Sequence, residues 1–168
     1  MRNIFKIAGQ FEKKLAQENV DLTPLSELLA YLRAALIINQ THHWQTSGPS
    51  FYADHLLFER LYDDEDDEVE DLIDAVAERA VGLDSIDRVD AVEQCGKVFE
   101  IVKDAYNQVS GNTPSDMVKR SLFIEQQVMK AIENCRNTIS IEGVTVILDE
   151  VGDLHETFIY LLKQRNTD

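Results

Sequence analysis

The chain has 168 residues, of which 44% are hydrophobic and 28% are charged, and its formal net charge is −15. This length and composition predict one folded domain over residues 1–168 and exclude a disordered chain. The acidic balance argues against direct DNA binding, which depends on clustered Lys and Arg, and favours cations as ligands.

Neither membrane insertion nor secretion is expected. No apolar run is long enough to span a bilayer, and the first residues lack the apolar core of a signal peptide, so we expect a cytoplasmic protein. Cys95 and Cys135 fit no metal-ligand spacing and are predicted to be reduced, buried thiols.

The first half of the chain contains clear helix signals. Residues 1–20 are interpreted as an N-terminal extension or a short helix over about 3–18. Thr23 is predicted to cap the next helix, with Pro24 at its first position. A stripe of leucines runs along this helix to His43, and Gly48-Pro49 ends it.

A second helix is predicted to start after Ser50 and to run unbroken to Val81, because no Pro or Gly interrupts that span. A third amphipathic stretch follows at 86–109. Its predicted inner face comprises Val89, Val92, Cys95, Phe99, Val102, Tyr106 and Val109.

Two further helices complete the prediction. Thr113-Pro114 starts one that continues to about Asn137, and the last covers roughly 140–165. No alternation of period two extends far enough to build a sheet. The predicted fold is all-α, a four-helix bundle with a short extra helix in the connection between the second and third main helices.

Two histidines and an acid form a candidate metal site. His43 ends the leucine stripe, His55 lies in the first turns of the second helix, and Glu59 follows His55 by one turn. A single histidine on an apolar stripe is more often a hydrogen-bonded core residue than a metal ligand. His42, which would face away from His43 on a helix, and His155 are interpreted as structural by default. The nearby carboxylate is what favours metal binding at His43 and His55.

Further acids follow on the same predicted helix. If the helix is continuous, Glu70, Asp74 and Glu78 form a row within about 140° of His55. Imidazole and carboxylate together suit iron, with zinc or manganese as possible substitutes, and this number of ligands can hold two ions.

A specific motif lies between His43 and Arg79. It consists of His43-Trp44, Gly48-Pro49, Phe51, His55, Phe58-Glu59, Leu61-Tyr62-Asp63 and Asp74-Ala75-Val76-Ala77-Glu78-Arg79. This motif resembles the signature of the Dps miniferritins, the family of DNA-protection-during-starvation proteins within the ferritin-like superfamily. The resemblance implies a four-helix bundle that assembles into a hollow dodecamer, oxidises ferrous iron, usually with hydrogen peroxide, and stores the ferric mineral in protection against oxidative stress.

The resemblance also implies roles for individual residues. His43, His55 and Glu59 match the ligands that one subunit contributes to a ferroxidase site, and Asp74 and Glu78 match those of its two-fold mate. Trp44 would pack in the interface beside the site. The Asp and Glu of the family motif usually follow the second histidine by 15 and 19 residues, whereas Asp74 and Glu78 follow His55 by 19 and 23.

The four extra residues fall in the acidic run 63–68, whose default interpretation is a solvated face. They either lengthen the helix or make it bulge. The alternative alignment keeps the family spacing and uses Glu70 with Asp74. We rank Glu78 above Glu70 because Ala77-Glu78-Arg79 matches the motif locally.

Two other functions compete with ferroxidase activity. One is a helical shell protein of the same fold whose metal site is impaired by the insertion. The other is a classical ferritin or bacterioferritin, but the chain has no Glu-x-x-His pair of the kind that builds an intra-bundle di-iron centre. Either oxygen or hydrogen peroxide is a possible oxidant.

Overall fold

The computed structural model describes residues 21–63, 68–83 and 89–166, and the short helix predicted within 3–18 lies outside them. The described residues form six α-helices and no β-strand, as the sequence predicts. The helices are α1 (Thr23–Gln45), α2 (Phe51–Arg60), α3 (Glu68–Leu83), α4 (Ala91–Gln108), α5 (Pro114–Thr138) and α6 (Glu142–Arg165).

The main helices pack in a closed ring. α1 packs against α5, α5 against α6, and α6 against α3, while α2 and α3 both pack against α1. α4 lies against α1 and α5. This arrangement confirms the predicted four-helix bundle with one additional helix in the connection between its second and third members.

The start of α5 agrees with the predicted capping signals, whereas the start of α1 does not. At α5, Thr113 and Asp116 form the reciprocal hydrogen bonds of a capping box, and Pro114 occupies the first turn. At α1 the predicted cap is wrong. Leu22 occupies the N-cap position, and the Asp21 carboxylate accepts the hydrogen bond from the Thr23 N–H at 3.0 Å.

The unbroken helix predicted from Ser50 to Val81 is wrong. α2 ends at Arg60, the backbone turns at Leu61 and Tyr62, and α3 begins at Glu68. Leu61 and Val69, on either side of the interruption, are both buried in the same apolar cluster. Because the helix is already interrupted at residues 61–63, the angles calculated along one continuous helix from His55 to the acids of α3 do not apply.

The inner face predicted for the third stretch is also partly wrong. α4 buries Gln94 and Ala105, whereas Val92 is 81% exposed, Phe99 is 64% exposed and Cys95 is exposed. Gln94 donates hydrogen bonds to the carbonyl and hydroxyl oxygens of Ser26, at 3.1 and 2.7 Å. This polar contact with α1 turns the helix away from the orientation that its apolar residues alone predict.

Two apolar clusters fill the bundle. The larger joins α1, α5 and α6 with residues of α3 and α4, and it contains Cys135, which is buried as predicted. Burial, and secondarily the charge of Glu27, raise the pKa of the Cys135 thiol to about 12. The smaller cluster joins α2 to α5 and α6 through Phe58, Val118 and Phe158. Of the helices in the described ranges, none combines the length and apolar character needed to cross a membrane.

Candidate metal centre

The loop between α1 and α2 brings His43 and His55 into contact. Within the loop, Gly48 has a φ of 81°, a left-handed conformation that glycine adopts without steric strain. The chain reverses there and places the two imidazole rings with their centroids 3.8 Å apart and their planes inclined by 30°. The structure thus brings together the two histidines that the sequence pairs.

Each imidazole is hydrogen-bonded to the backbone of the other residue. His43 Nδ1 lies 3.2 Å from the carbonyl oxygen of His55, and His55 Nδ1 lies 3.2 Å from the carbonyl oxygen of His43. A carbonyl oxygen can only accept, so both Nδ1 atoms carry the proton. Both Nε2 atoms then hold a lone pair, and neither is hydrogen-bonded to a described residue.

This tautomer is the one that binds a metal ion. Histidines that ligate metals usually donate their second ring N–H to a carbonyl or carboxylate, which fixes the orientation of the ring and makes the other nitrogen a better ligand. The pair has that arrangement twice, at two side chains that are half-buried and therefore accessible.

Tyr62, in the turn that follows α2, borders the pair. Tyr62 meets the His43 ring edge to face, with centroids 5.3 Å apart. Burial, and then the charges of Asp63 and Glu59, raise the pKa of the Tyr62 hydroxyl. Glu59 is half-buried but does not form a three-ligand group with His43 and His55 within one chain, so its place in the site stays a prediction.

An ion pair anchors the helix that carries His55. Asp54, only 1% exposed, accepts hydrogen bonds from Arg165 Nε at 2.6 Å, from Arg165 Nη2 at 3.2 Å and from the Ser50 hydroxyl at 2.5 Å. Burial alone would raise the pKa of Asp54, but these bonds outweigh it and lower that pKa. The contact ties the first turn of α2 to the end of α6.

The carboxylates of α3 are not grouped with the histidines of the same chain. Glu70, Asp74 and Glu78 follow one another at four-residue steps and are all exposed, while Val76 and Ala80 face the core. Among the described residues, no three His, Cys, Asp or Glu side chains of one chain are placed so that they could hold a metal ion.

Large apolar side chains are exposed near the histidine pair. Trp44, directly after His43, is 68% exposed, and the first turns of α2 expose Phe51, Tyr52 and Leu56. The Phe51 ring also stacks on His55, with centroids 5.1 Å apart. Exposed apolar side chains in such number at one region are typical of a surface that another protein covers.

A second group of polar side chains lies inside the bundle, between the two apolar clusters. His42, Arg120, Ser121 and Glu125 are fully buried, and His155 is 4% exposed. Asn39, also fully buried, belongs to the same group. The predicted structural roles of His42 and His155 agree with this burial. His42, and not His43, continues the buried stripe of α1, so the sequence prediction exchanged the positions of these two neighbours.

In this group each side chain donates a hydrogen bond to the next, beginning at Arg120 and ending at Glu125. Arg120 Nη1 donates to His42 Nε2 at 3.0 Å, so His42 Nδ1 carries the proton and donates to Ser121 Oγ at 2.9 Å. Ser121 donates to Asn39 Oδ1 at 2.6 Å, and Asn39 Nδ2 donates to Glu125 Oε1 at 2.9 Å.

This series of hydrogen bonds leads to the Glu125 carboxylate, whose two oxygens are both hydrogen-bonded. The second oxygen of Glu125 is hydrogen-bonded to His155 Nδ1. Burial, and secondarily the charge of Arg120, lower the pKa of His42 to about 3. The group is fully connected and converges on Glu125, which the sequence analysis does not single out.

Two solved structures share this architecture. The X-ray structure of Dps from Thermosynechococcus elongatus is 18% identical with a TM-score of 0.64, and the match covers 94% of this chain and 93% of that chain. The chain has the ferritin-like fold. A Dps crystal structure from Vibrio cholerae O1, described as a member of a broad superfamily of ferritin-like diiron-carboxylate proteins, matches at 17% identity and a TM-score of 0.50, over 92% and 90% of the chains. No family model and no curated protein matches the sequence.

The resemblance noted in the sequence is thereby confirmed for the ferritin-like fold. In this fold the motif residues divide between two surfaces: His43, His55 and Glu59 at the junction of α1 and α2, and Asp74 with Glu78 or Glu70 on α3. Their roles as metal ligands stay a prediction.

Proposed function

We propose that this chain is a Dps-like miniferritin subunit that binds ferrous iron at a site shared between two copies, oxidises it and stores the ferric product. The observation that carries the proposal is the reciprocal bonding of His43 and His55. Each Nδ1–H is held by the other residue's carbonyl oxygen, and this leaves two Nε2 lone pairs available at one place on the surface.

The rest of the ligand set comes from a second copy in this proposal. One chain supplies His43, His55 and Glu59, and the outward face of α3 of its mate supplies Asp74 and a second acid. An interface with two-fold symmetry brings each part of one chain to the complementary part of the other, so it makes two equal sites. The exposed apolar side chains beside the histidine pair would be buried in the same interface.

Asp74 belongs to the proposed site in both alignments of the motif. We assign Glu78 as its companion on the local motif and keep Glu70 as the rival, since both are exposed one turn from Asp74. Glu70→Gln and Glu78→Gln are the isosteric variants that separate them. The variant that weakens iron binding identifies the second acid.

The chemistry needs a mixed ligand set. Neutral imidazole holds ferrous iron, and carboxylate oxygens stabilise the harder ferric ion. Two ferrous ions each give up one electron, and one hydrogen peroxide takes both electrons with two protons and becomes two waters. Oxygen is the alternative oxidant, and zinc or manganese would compete with iron for the same ligands.

Assembly and location complete the proposal. We expect a homo-oligomer, a dodecamer as the Dps resemblance implies, acting in the cytoplasm in defence against oxidative stress. With a net charge of −15 per chain, its surface attracts cations and repels free nucleic acid, so we expect no gel shift of DNA at low salt.

Iron-dependent peroxide consumption tests the activity. The His43→Ala/His55→Ala double variant should lose most of the consumption seen with the parent chain, while both remain folded and assembled. Equal rates in the two proteins would overturn the ferroxidase proposal. His42→Gln is the matched control, because it changes a neighbouring histidine whose two ring nitrogens are both engaged inside the bundle.

Mixed oligomers test whether the site is shared. Equal amounts of two variants, the double histidine variant and Asp74→Ala/Glu78→Ala, are mixed, unfolded and refolded together. If each site uses histidines of one chain and acids of another, random pairing restores about a quarter of the parental sites. No recovery above the separately refolded variants would show that the site is not shared in this way.

The shell function is the second candidate, and the interruption between α2 and α3 is the observation that favours it. The break places the histidine half and the acidic half of the motif on different helices. A shell that assembles normally but consumes peroxide no faster than its double histidine variant would support this alternative.

A further inference from the structure

Thr46 lies between the two histidines of the candidate site. It is the C-cap residue directly after α1, and it is only 9% exposed. The Thr46 hydroxyl donates to the carbonyl oxygen of His43 at 2.9 Å, and its oxygen lies 3.3 Å from His55 Nδ1. One small side chain therefore contacts the backbone of one histidine and the ring of the other.

The direction of these bonds follows from the number of available protons. The hydroxyl has a single hydrogen, which is used on the His43 carbonyl because that carbonyl can only accept. The Thr46 oxygen therefore offers lone pairs to His55. His55 Nδ1 then faces two acceptors, the Thr46 oxygen and the His43 carbonyl oxygen at 3.2 Å, and no donor among the described residues.

We propose that Thr46 is a positioning residue that, together with the His43 carbonyl, holds His55 in its Nδ1–H tautomer and orients its ring, so that Nε2 is available to a divalent first-row transition metal ion. Thr46 does not touch the metal in this proposal. It acts through His55, and it also fixes the His43 carbonyl that both bonds share. The inference rests on the proposed iron site and names an additional residue on which that site depends.

The hydroxyl, and not the size of the side chain, is the feature that the geometry uses. A valine at this position has nearly the same shape but cannot donate to the His43 carbonyl or accept from His55. A serine keeps both hydrogen bonds and loses only a methyl group. The pair Thr46→Val and Thr46→Ser therefore separates positioning from packing.

Cobalt(II) binding is the direct test. The absorption spectrum of bound cobalt(II) reports the number of its ligands, and the measurement does not rely on peroxide consumption. We expect Thr46→Val to bind cobalt(II) about tenfold more weakly than the parent, the usual effect of losing a hydrogen-bond partner behind a metal ligand. Thr46→Ser should stay within about threefold of the parent. Thr46→Ala is a second variant without the hydroxyl and should behave like Thr46→Val.

Thr41→Val is the matched control. Thr41 lies in α1, five residues before Thr46, and its hydroxyl donates to the Ile37 carbonyl at 2.7 Å and is hydrogen-bonded to neither His43 nor His55. This variant should bind cobalt(II) like the parent. Thermal unfolding of all variants identifies any general loss of structure, which would lower the affinity of Thr46→Ser and Thr46→Val alike.

The outcomes are distinct. Parental affinity in Thr46→Val, or equal losses in Thr46→Val and Thr46→Ser, would overturn the role of Thr46. Failure of the parent to bind cobalt(II) would instead count against the proposed metal site. In that case nitrogen-15 chemical shifts of the His55 ring still report the tautomer. The Nδ1–H tautomer in the parent and a mixture of tautomers in Thr46→Val would support the positioning role of Thr46. The same tautomer in both proteins would refute that role.

Discussion

His42 and His43 are neighbours in the sequence but lie in regions of opposite character. His42 is fully buried, and its two ring nitrogens are bonded to Arg120 and Ser121. His43 is half-buried and uses only Nδ1, on the carbonyl of His55. The interior group is closed to any further ligand, whereas the surface pair keeps nitrogen lone pairs for one. A histidine is a candidate metal ligand only when one of its ring nitrogens has no other hydrogen-bond partner.

The acids show the same contrast. Glu125 is buried with both oxygens bonded inside the bundle, while Asp74 and Glu78 are exposed on α3. The interior group should therefore determine stability, and the surface group should determine metal binding. Four substitutions test this division, from the largest expected effect to the smallest.

Glu125→Ala should destabilise the chain most. It leaves the Asn39 amide and the His155 ring without their acceptor in the core, and each buried donor left without a partner typically costs about 1–3 kcal/mol. Urea unfolding at a fixed protomer concentration measures the effect. Glu133→Ala, at an exposed position of the same helix, should change stability by less than about 0.5 kcal/mol. Similar losses in both variants would contradict a stabilising interior group.

His43→Ala should have the opposite phenotype. Ferrous iron affinity should fall at least about tenfold because one ligand is removed. The free energy of unfolding should change by less than about 1 kcal/mol, since the side chain is only half-buried. Anaerobic calorimetric titration with ferrous salt gives the affinity. A loss of stability as large as that of Glu125→Ala would remove the distinction between the two regions.

The interior group should also make stability depend on pH through His42. Its folded pKa of about 3 lies below the ordinary histidine pKa of 6.5, so between these limits the unfolded chain binds a proton that the folded chain does not. Stability therefore falls as the pH is lowered from about 6 to 4, by at most about 1.4 kcal/mol per pH unit from this residue.

His42→Gln tests that dependence, because glutamine can accept from Arg120 and donate to Ser121 but does not titrate. The variant should lose less stability than the parent over the same pH interval in urea unfolding. Parallel curves for the two proteins would show that His42 contributes nothing to the acid sensitivity.

Lys103→Ala should change stability least of the four substitutions. Lys103 pairs with Glu100 at 2.9 Å on the exposed side of α4, and both side chains are more than half exposed. Exposed pairs of this kind contribute about 0.5 kcal/mol or less, so thermal unfolding should hardly change. A loss above about 1 kcal/mol would mean that this surface is engaged in an interaction of its own.

Much of the fold and half of the candidate site could be predicted from the sequence. The extents of α1, α5 and α6 follow from apolar periodicity and from signals such as Thr113-Pro114, because these act within a few residues. His43 and His55 could be paired since the loop between them is short and contains Gly48. The end of α2 at Arg60 could not be predicted, because no Pro or Gly marks it and its flanking residues are buried by contacts with other helices.

The sequence by itself determined the helical class, the order of the helices and the residues available for metal chemistry, since composition and periodicity are local properties. Only the tertiary structure decided which of His42 and His43 is buried, that α4 turns Gln94 inward, and that Glu125 bridges Asn39 and His155. These outcomes depend on hydrogen bonds between residues 30 to 86 positions apart, whose partners no local pattern identifies. The tautomers of His43 and His55 belong with them, because a carbonyl across the loop holds each proton.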